Sequence, residues 1–237
     1  MTDRLDDSQL TAFDTEYVHD RLWARVEARI AADFPAGDLS VLDLGGGTGR
    51  FVDRVLGRWP GASGVVLDNA ASLLARNRPD PRKRLVEAGV EDLATALGTQ
   101  RFDLVVCNWL LHHLVVTGDR RASLVALPNL LTPCGRISIP ENLYDGWIDG
   151  ASTWLIFRAT SLRGLARLAR AGGANTAGVG VRFRSTRGWR AAFARSGLVV
   201  RGEDPDRDWD TPRGWRPAFL LRRVRAGHLW LEPRTHA

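Results

Sequence analysis

The hydrophobic rhythm of the chain changes along its length. Over residues 8–34, Leu10, Phe13, Tyr17, Leu22, Val26 and Ile30 recur at helical spacing, with Asp, Glu and Arg between them. That stripe predicts a helix burying one face, ended by Pro35-Ala36-Gly37-Asp38. From residue 39, short aliphatic runs alternate with helical stretches. The runs at 39–44, 64–67, 84–87, 102–107 and 135–140 predict strands. The segments at 49–58, 70–77, 91–97 and 119–131 predict helices between them. Such alternation implies a mainly parallel sheet with helices on both faces. Phe102-Asp103-Leu104-Val105-Val106-Cys107 is almost continuously apolar, which fits a strand buried on both sides.

Residues 142–184 interrupt this alternation and read as an insertion. Within them, 152–171 predicts one basic amphipathic helix, with Trp154, Leu155, Phe157, Leu162, Leu165 and Leu168 apolar and Arg158, Arg163, Arg167 and Arg170 charged. Gly172-Gly173 predicts its end. The alternation then resumes with a helix at 186–196, a strand at 198–202, a turn-rich loop at 203–216 and a strand at 217–224. Residues 226–237 are expected to form a tail.

Composition narrows the class. The 237 residues are 44% apolar and 25% charged, which excludes collagen-like, disordered and disulfide-framework proteins. A chain of this length buries enough surface to fold without a metal or disulfide staple. The net charge is +6, and every basic residue except Lys83 is arginine. A basic surface suits nucleic acid, anionic lipid or an acidic substrate. The near-total preference for arginine reads more simply as the coding bias of a GC-rich genome. Arginines are spread along the chain with acids among them, which speaks against nucleic acid as the partner. No apolar run approaches the roughly 18 residues of a membrane span. Thr2, Asp3 and Arg4 after Met1 do not resemble an export leader, so a cytoplasmic location is expected. Cys107 and Cys134 lack metal-ligand spacing and are expected as reduced thiols, with no metal site.

The segment richest in chemistry is Val41-Leu42-Asp43-Leu44-Gly45-Gly46-Gly47-Thr48-Gly49-Arg50-Phe51. It reads as a strand, a glycine turn and a helix start. Glycines there permit positive φ and close approach of a ligand to the backbone, and the helix start offers unpaired N–H groups. A dinucleotide fingerprint, G-x-G-x-x-G, fails in both frames, because its third glycine falls at Arg50 or Val52. A phosphate loop fails for want of Gly-Lys-Ser/Thr. What remains is acid-x-G-x-G-x-G, led by Asp43.

That segment resembles the first motif of the class I S-adenosylmethionine (SAM)-dependent methyltransferases. The resemblance covers residues 39–141 and extends more loosely to 224. It implies a Rossmann-like, doubly wound α/β sheet of about seven strands, mostly parallel with an antiparallel final strand. It also implies a single domain over 1–237: an N-terminal helical cap (1–37), a cofactor-binding core (39–141), a substrate-cap insertion (142–184) and a C-terminal completion of the core (185–225). SAM is the implied cofactor and S-adenosylhomocysteine the product. Asp43, Gly45, Gly46, Gly47 and Gly49 would cradle it. Asp68, with Asn69 after it, stands where the family's acid holds the ribose hydroxyls, and a carboxylate suits two adjacent hydroxyls. Relatives often carry an acid near the adenine where this chain has Gly89, so Glu91, Asp92 or the backbone at Val90 must serve instead. Asn108 follows the fourth strand and lines the methionine end. Tyr17, His19 and Arg21 lie on the helix that closes over the cofactor in relatives.

Methyl transfer to a hydroxyl, phenol or protonated amine needs a base, and histidine suits neutral pH. His112 and His113 follow the fourth strand, on the sheet edge where open α/β folds bind ligands. Glu141 ends the fifth strand on the same edge. A His–Glu pair across that edge would act as base and orienter, with His113 slightly preferred over His112. Trp109, Asn142, Tyr144 and Trp147 are the candidates for contact with a small, aromatic or apolar acceptor. A nucleic-acid methyltransferase and a non-catalytic SAM-binding protein stand as alternatives. A homodimer contact through the insertion is left open.

Overall fold

The structure is a computed structural model that describes residues 20–114, 124, 126–148, 150–171, 182–206 and 221–234. Its strands are β1 (Ser40–Leu44), β2 (Ser63–Asp68), β3 (Lys83–Glu87), β4 (Phe102–Val106), β5 (Leu131–Gly146), β6 (Leu198–Asp206) and β7 (Leu221–Pro233). They form one sheet in the order β3-β2-β1-β4-β5-β7-β6. The first five strands are parallel, and β7 runs antiparallel to both β5 and β6. The fold is therefore the expected Rossmann-like sheet with an antiparallel final strand.

The helices are α1 (Asp20–Asp33), α2 (Arg50–Arg58), α3 (Ala71–Leu74), α4 (Leu93–Leu97), α5 (Ala151–Thr160), α6 (Arg163–Ala171) and α7 (Thr186–Arg195). Alternation along the strands sorts the core into two layers. Leu42, Leu44, Val65, Leu67 and Val105 pack with Leu93, Leu97, Trp189 and Phe193, from α4 and α7. Val41, Val66, Leu104 and Val106 pack with Val26, Ile30, Val52 and Val55, from α1 and α2. Both faces of the central strands are covered, which is why those strands are apolar at nearly every position. The chain runs outward from β1 through β2 to β3, then crosses back to β4. The carboxyl ends of β1 and β4 thus flank the switch point where such sheets bind ligands.

Several elements differ from expectation. Residues 226–233, expected as tail, are the heart of β7. Ala226, Leu229, Trp230 and Leu231 are buried, paired on one side with β5 and on the other with β6. Trp230 Nε1 donates to Asp33 Oδ2 at 2.8 Å, which ties the strand to α1. β5 starts at Leu131, where a helix was expected to end, and runs through Asn142 and Tyr144 to Gly146. It runs past the expected end at 140 because β7 pairs with it from Ile137 to Gly146. The single helix expected at 152–171 is two helices. At the junction Ser161 donates to Phe157 O from both its N, at 3.0 Å, and its Oγ, at 2.7 Å. The helix expected at 70–77 is one turn, and that at 91–97 begins as a 3-10 turn over Val90–Asp92. Of the helix expected at 119–131, residues 119–123 and 125 lie outside the described residues and Leu127–Leu130 form a 3-10 turn; Gly172, Gly173, Gly178 and Gly180 also lie outside the described residues. Among the described residues no helix is long and apolar enough to cross a membrane.

Candidate active site

The glycine loop leaves β1 through three left-handed residues, Gly45 (φ 68°), Gly47 (φ 50°) and Gly49 (φ 71°). A side chain at these angles is strained. Gly46 has ordinary φ but no room: an added Cβ would sit 2.7 Å from Asp43 Cγ and 2.9 Å from Val66 Cγ1. At Gly45 it would sit 2.9 Å from Leu110 Cδ1, so the loop after β4 packs directly on the loop after β1. At Gly47 it would meet only Leu73 at 3.4 Å and Asp68 at 4.0 Å, so this glycine borders open space.

Asp68 closes the loop from the end of β2. Its Oδ2 accepts from Gly47 N at 3.0 Å and its Oδ1 from Ala70 N at 2.8 Å. Each oxygen keeps a second lone pair for a ligand. Asn77, which the motif search did not single out, donates from Nδ2 to Gly47 O at 2.9 Å and to Leu74 O at 3.1 Å. Asn69 is exposed beside Asp68.

Asp43 is 1% exposed, and its Oδ1 has no hydrogen-bond partner. Burial, and then the neighbouring Asp68 carboxylate, push its pKa up to about 8. Burial also raises Asp68, against the backbone N–H groups that hold it down. Asn108 adds another buried oxygen, Oδ1, without a partner. Two under-neutralised carboxyls and two orphaned acceptors fit a ligand that is cationic and carries N–H or O–H donors. SAM, with its sulfonium, ammonium and ribose hydroxyls, has that chemistry. Along the same edge, the Glu91 carboxyl lies where a side chain on residue 89 would stand, its Cδ 2.5 Å from an added Gly89 Cβ. Val90 packs against the core beside it.

The other half of the site lies in the loop after β4 and within β5, where Glu141 sits inside the strand rather than at its expected end because β7 pairs on past it. His112 Nδ1 lies 2.7 Å from Glu141 Oε1. His112 N donates to Glu141 Oε2 at 3.2 Å, and Asn142 N donates to Oε1 at 2.7 Å. Glu141 is fully buried and His112 is 3% exposed. The carboxylate thus has three donors and holds the imidazole in one orientation. The His113 ring lies 4.3 Å from that of His112. Burial, and then the His112 charge, hold the His113 pKa well below the usual imidazole range.

Phe183 extends this row of rings. It lies 4.9 Å from His112 and stacks on Tyr144 at 4.4 Å with an 11° interplanar angle. Its segment is pinned to the edge by Arg182 N donating to His112 O at 3.1 Å and Tyr144 N donating to Arg184 O at 2.9 Å. The one sequence signal for Phe183 is a lone aromatic between two arginines, too slight to single out.

The remaining candidates are scattered. Asn142 has a buried Oδ1 without a partner. Trp109 has φ 46° and is buried in the layer of α1 and α2, away from the row of rings. Trp147 is 66% exposed beyond the end of β5. Tyr17 and His19 lie outside the described residues, and Arg21 is in the first turn of α1.

Comparison with known proteins agrees with this geometry. Residues 42–137 match the family described as "Methyltransferase domain". A malonyl-[acyl-carrier protein] O-methyltransferase of Paenibacillus sp. is 32% identical over 87 residues, 32% of each chain. An uncharacterized methyltransferase of Mycobacterium tuberculosis is 34% identical over 118 residues, 48% of this chain and 55% of that one. The matched parts thus span from about a third to about half the length of these relatives. The 1,6-didemethyltoxoflavin-N1-methyltransferase of Burkholderia thailandensis, solved with 1,6-didemethyltoxoflavin and S-adenosylhomocysteine, shares the fold at TM-score 0.52 and 18% identity, covering 95% of this chain and 87% of that one. The chain is thus similar to the SAM-dependent methyltransferases in residues 42–137 of its sequence and in the fold of its sheet.

Proposed function

We propose that the protein transfers the methyl group of SAM to an oxygen or nitrogen nucleophile of a small aromatic or apolar acceptor. The observation that carries this reading is the buried His112–Glu141 pair on the same sheet edge as the glycine loop. When bound, SAM supplies an activated methyl group, so the protein's task is alignment, water exclusion and proton removal. In this reading Asp68 accepts from the ribose hydroxyls, and Asp43 and Asn108 accept from the ammonium. Glu91 and the backbone at Val90 meet the adenine. Gly45 to Gly49 let the backbone come close. Glu141 accepts from His112 Nδ1–H, which leaves Nε2 to take the acceptor's proton. His113, held neutral, is the alternative base. Phe183 and Tyr144 form a flat wall against which a planar acceptor lies as its nucleophile is aligned for in-line displacement. The Burkholderia neighbour, solved with 1,6-didemethyltoxoflavin bound, supports a small acceptor, and the Paenibacillus protein, an O-methyltransferase, leaves oxygen open beside nitrogen. A cytoplasmic location goes with this reading.

Calorimetry with SAM and S-adenosylhomocysteine, followed by turnover on a panel of phenols, heterocyclic amines and carboxylic acids, tests it. We expect micromolar binding of both and methylation of a planar member of the panel. Binding without turnover on any member favours a non-catalytic SAM-binding protein. Absence of binding refutes the whole reading.

A further inference from the structure

The insertion carries a surface that takes no part in this chemistry. Among the described residues, every exposed large hydrophobic side chain except Leu85 and Val199 lies between residues 147 and 168. Trp147 and Ile148, just past β5, are 66% and 69% exposed, and Trp154 on α5 is 50% exposed. The helix α6 is set with its small residues inward. Ala166 and Ala169 are 2% and 0% exposed, while Leu165 and Leu168 are 46% and 67% exposed, with Leu162 beside them at 60%. Burial against the described residues alone would favour the opposite orientation. A contiguous apolar face of this kind marks a surface that another body covers.

The charge on this face identifies that body. Arginines and acids mix through most of the chain, yet from Gly150 to Gly202 there is no Asp or Glu, while arginines recur throughout. On the face itself Arg158 and Arg167 are exposed, and the Arg158 guanidinium lies 5.9 Å from the centroid of the Trp154 ring. A second copy docked on this face would set arginines against arginines, which like-charge repulsion disfavours. An anionic lipid surface meets both features. Its acyl boundary takes leucine and tryptophan, and its phosphates take guanidinium groups.

We propose that α5, α6 and the Trp147–Ile148 tip dock the protein on an anionic lipid surface, lying in the interface without spanning it. The proposal does not depend on the base or the acceptor. It is tested by co-sedimentation of the whole chain with phosphatidylcholine vesicles and with phosphatidylcholine–phosphatidylglycerol vesicles. We expect sedimentation with the mixed vesicles only, reversed by added salt. Leu165→Asp with Leu168→Asp should weaken it by about tenfold or more. Arg158→Glu with Arg167→Glu, which changes two exposed side chains, should weaken it about tenfold or more. The melting temperature of each variant should match the parent, since these side chains face outward. No sedimentation with mixed vesicles, or equal sedimentation with neutral ones, overturns the proposal. So does a dimer in sedimentation velocity that the leucine variant abolishes while vesicle binding is absent. An acidic protein that binds the face in place of vesicles overturns it too.

Discussion

From Asp43 to Gly49 the glycine loop of the proposed cofactor side occupies one unbroken stretch of chain, closed by Asp68 from the end of β2. The proposed acceptor side draws His112, Glu141, Tyr144 and Phe183 from the loop after β4, from β5 and from the segment before α7. The loop owes its shape to backbone angles and to the room that each glycine leaves. The acceptor side owes its shape to strand register, which sets the end of β4 against Ser138 and lets the loop after it bring His112 to Glu141. The first kind of site is local and rigid. The second exists only once the sheet has formed, and its parts are tuned separately. Substitutions should therefore divide cleanly between cofactor affinity and turnover.

The largest expected effect tests the acceptor side. Glu141→Gln keeps the shape but removes the charge that holds His112. Turnover should fall by about 10²–10⁴-fold, the usual worth of a positioned base, with SAM affinity in calorimetry unchanged. A loss of affinity with turnover intact would erase the division between the two halves.

Asp43 sharpens the comparison from the other side. Its pKa is raised from 3.8 to about 8 in the folded chain, so across that window the folded protein keeps a proton that the unfolded chain gives up. Folding stability contributed by this residue thus falls as pH rises through the window. Asp43→Asn should stabilise the ligand-free protein by roughly 2–4 kcal/mol near neutral pH, with the gain fading toward pH 4. Denaturant melts across that range measure it. The same variant should weaken SAM binding, and stability gained with affinity unchanged would remove Asp43 from the cofactor site.

The smallest effect belongs to Asp68. Replacement by Ala removes acceptors for the ribose and for Gly47 N. Calorimetry should show SAM affinity weakened by roughly 1–3 kcal/mol, while turnover at saturating SAM changes little. Unchanged affinity would refute the ribose role.

Different physical reasons made parts of the molecule readable in advance. Strands β1, β2 and β4 announce themselves because burial on both faces demands apolar residues at almost every position. The glycine loop is readable because only glycine tolerates its angles and its lack of room. Of β7, only the start was readable, within the strand expected at 217–224. Its Leu229-Trp230-Leu231 run is brief, follows Gly227-His228, and becomes a strand only between β5 and β6. The orientation of α6 was equally hidden, since a stripe of leucines cannot announce whether it faces a core or a partner.

By itself, then, the sequence determined the alternating α/β core, the shape of the cofactor loop and the sheet edge on which chemistry gathers. These follow from local rules of burial and backbone angle. Tertiary structure alone decided which of two adjacent histidines meets Glu141, and that Phe183 stacks between His112 and Tyr144. It also decided that α6 turns its leucines outward. Those outcomes depend on register and packing between segments far apart in the chain, and no local pattern of residue types encodes them.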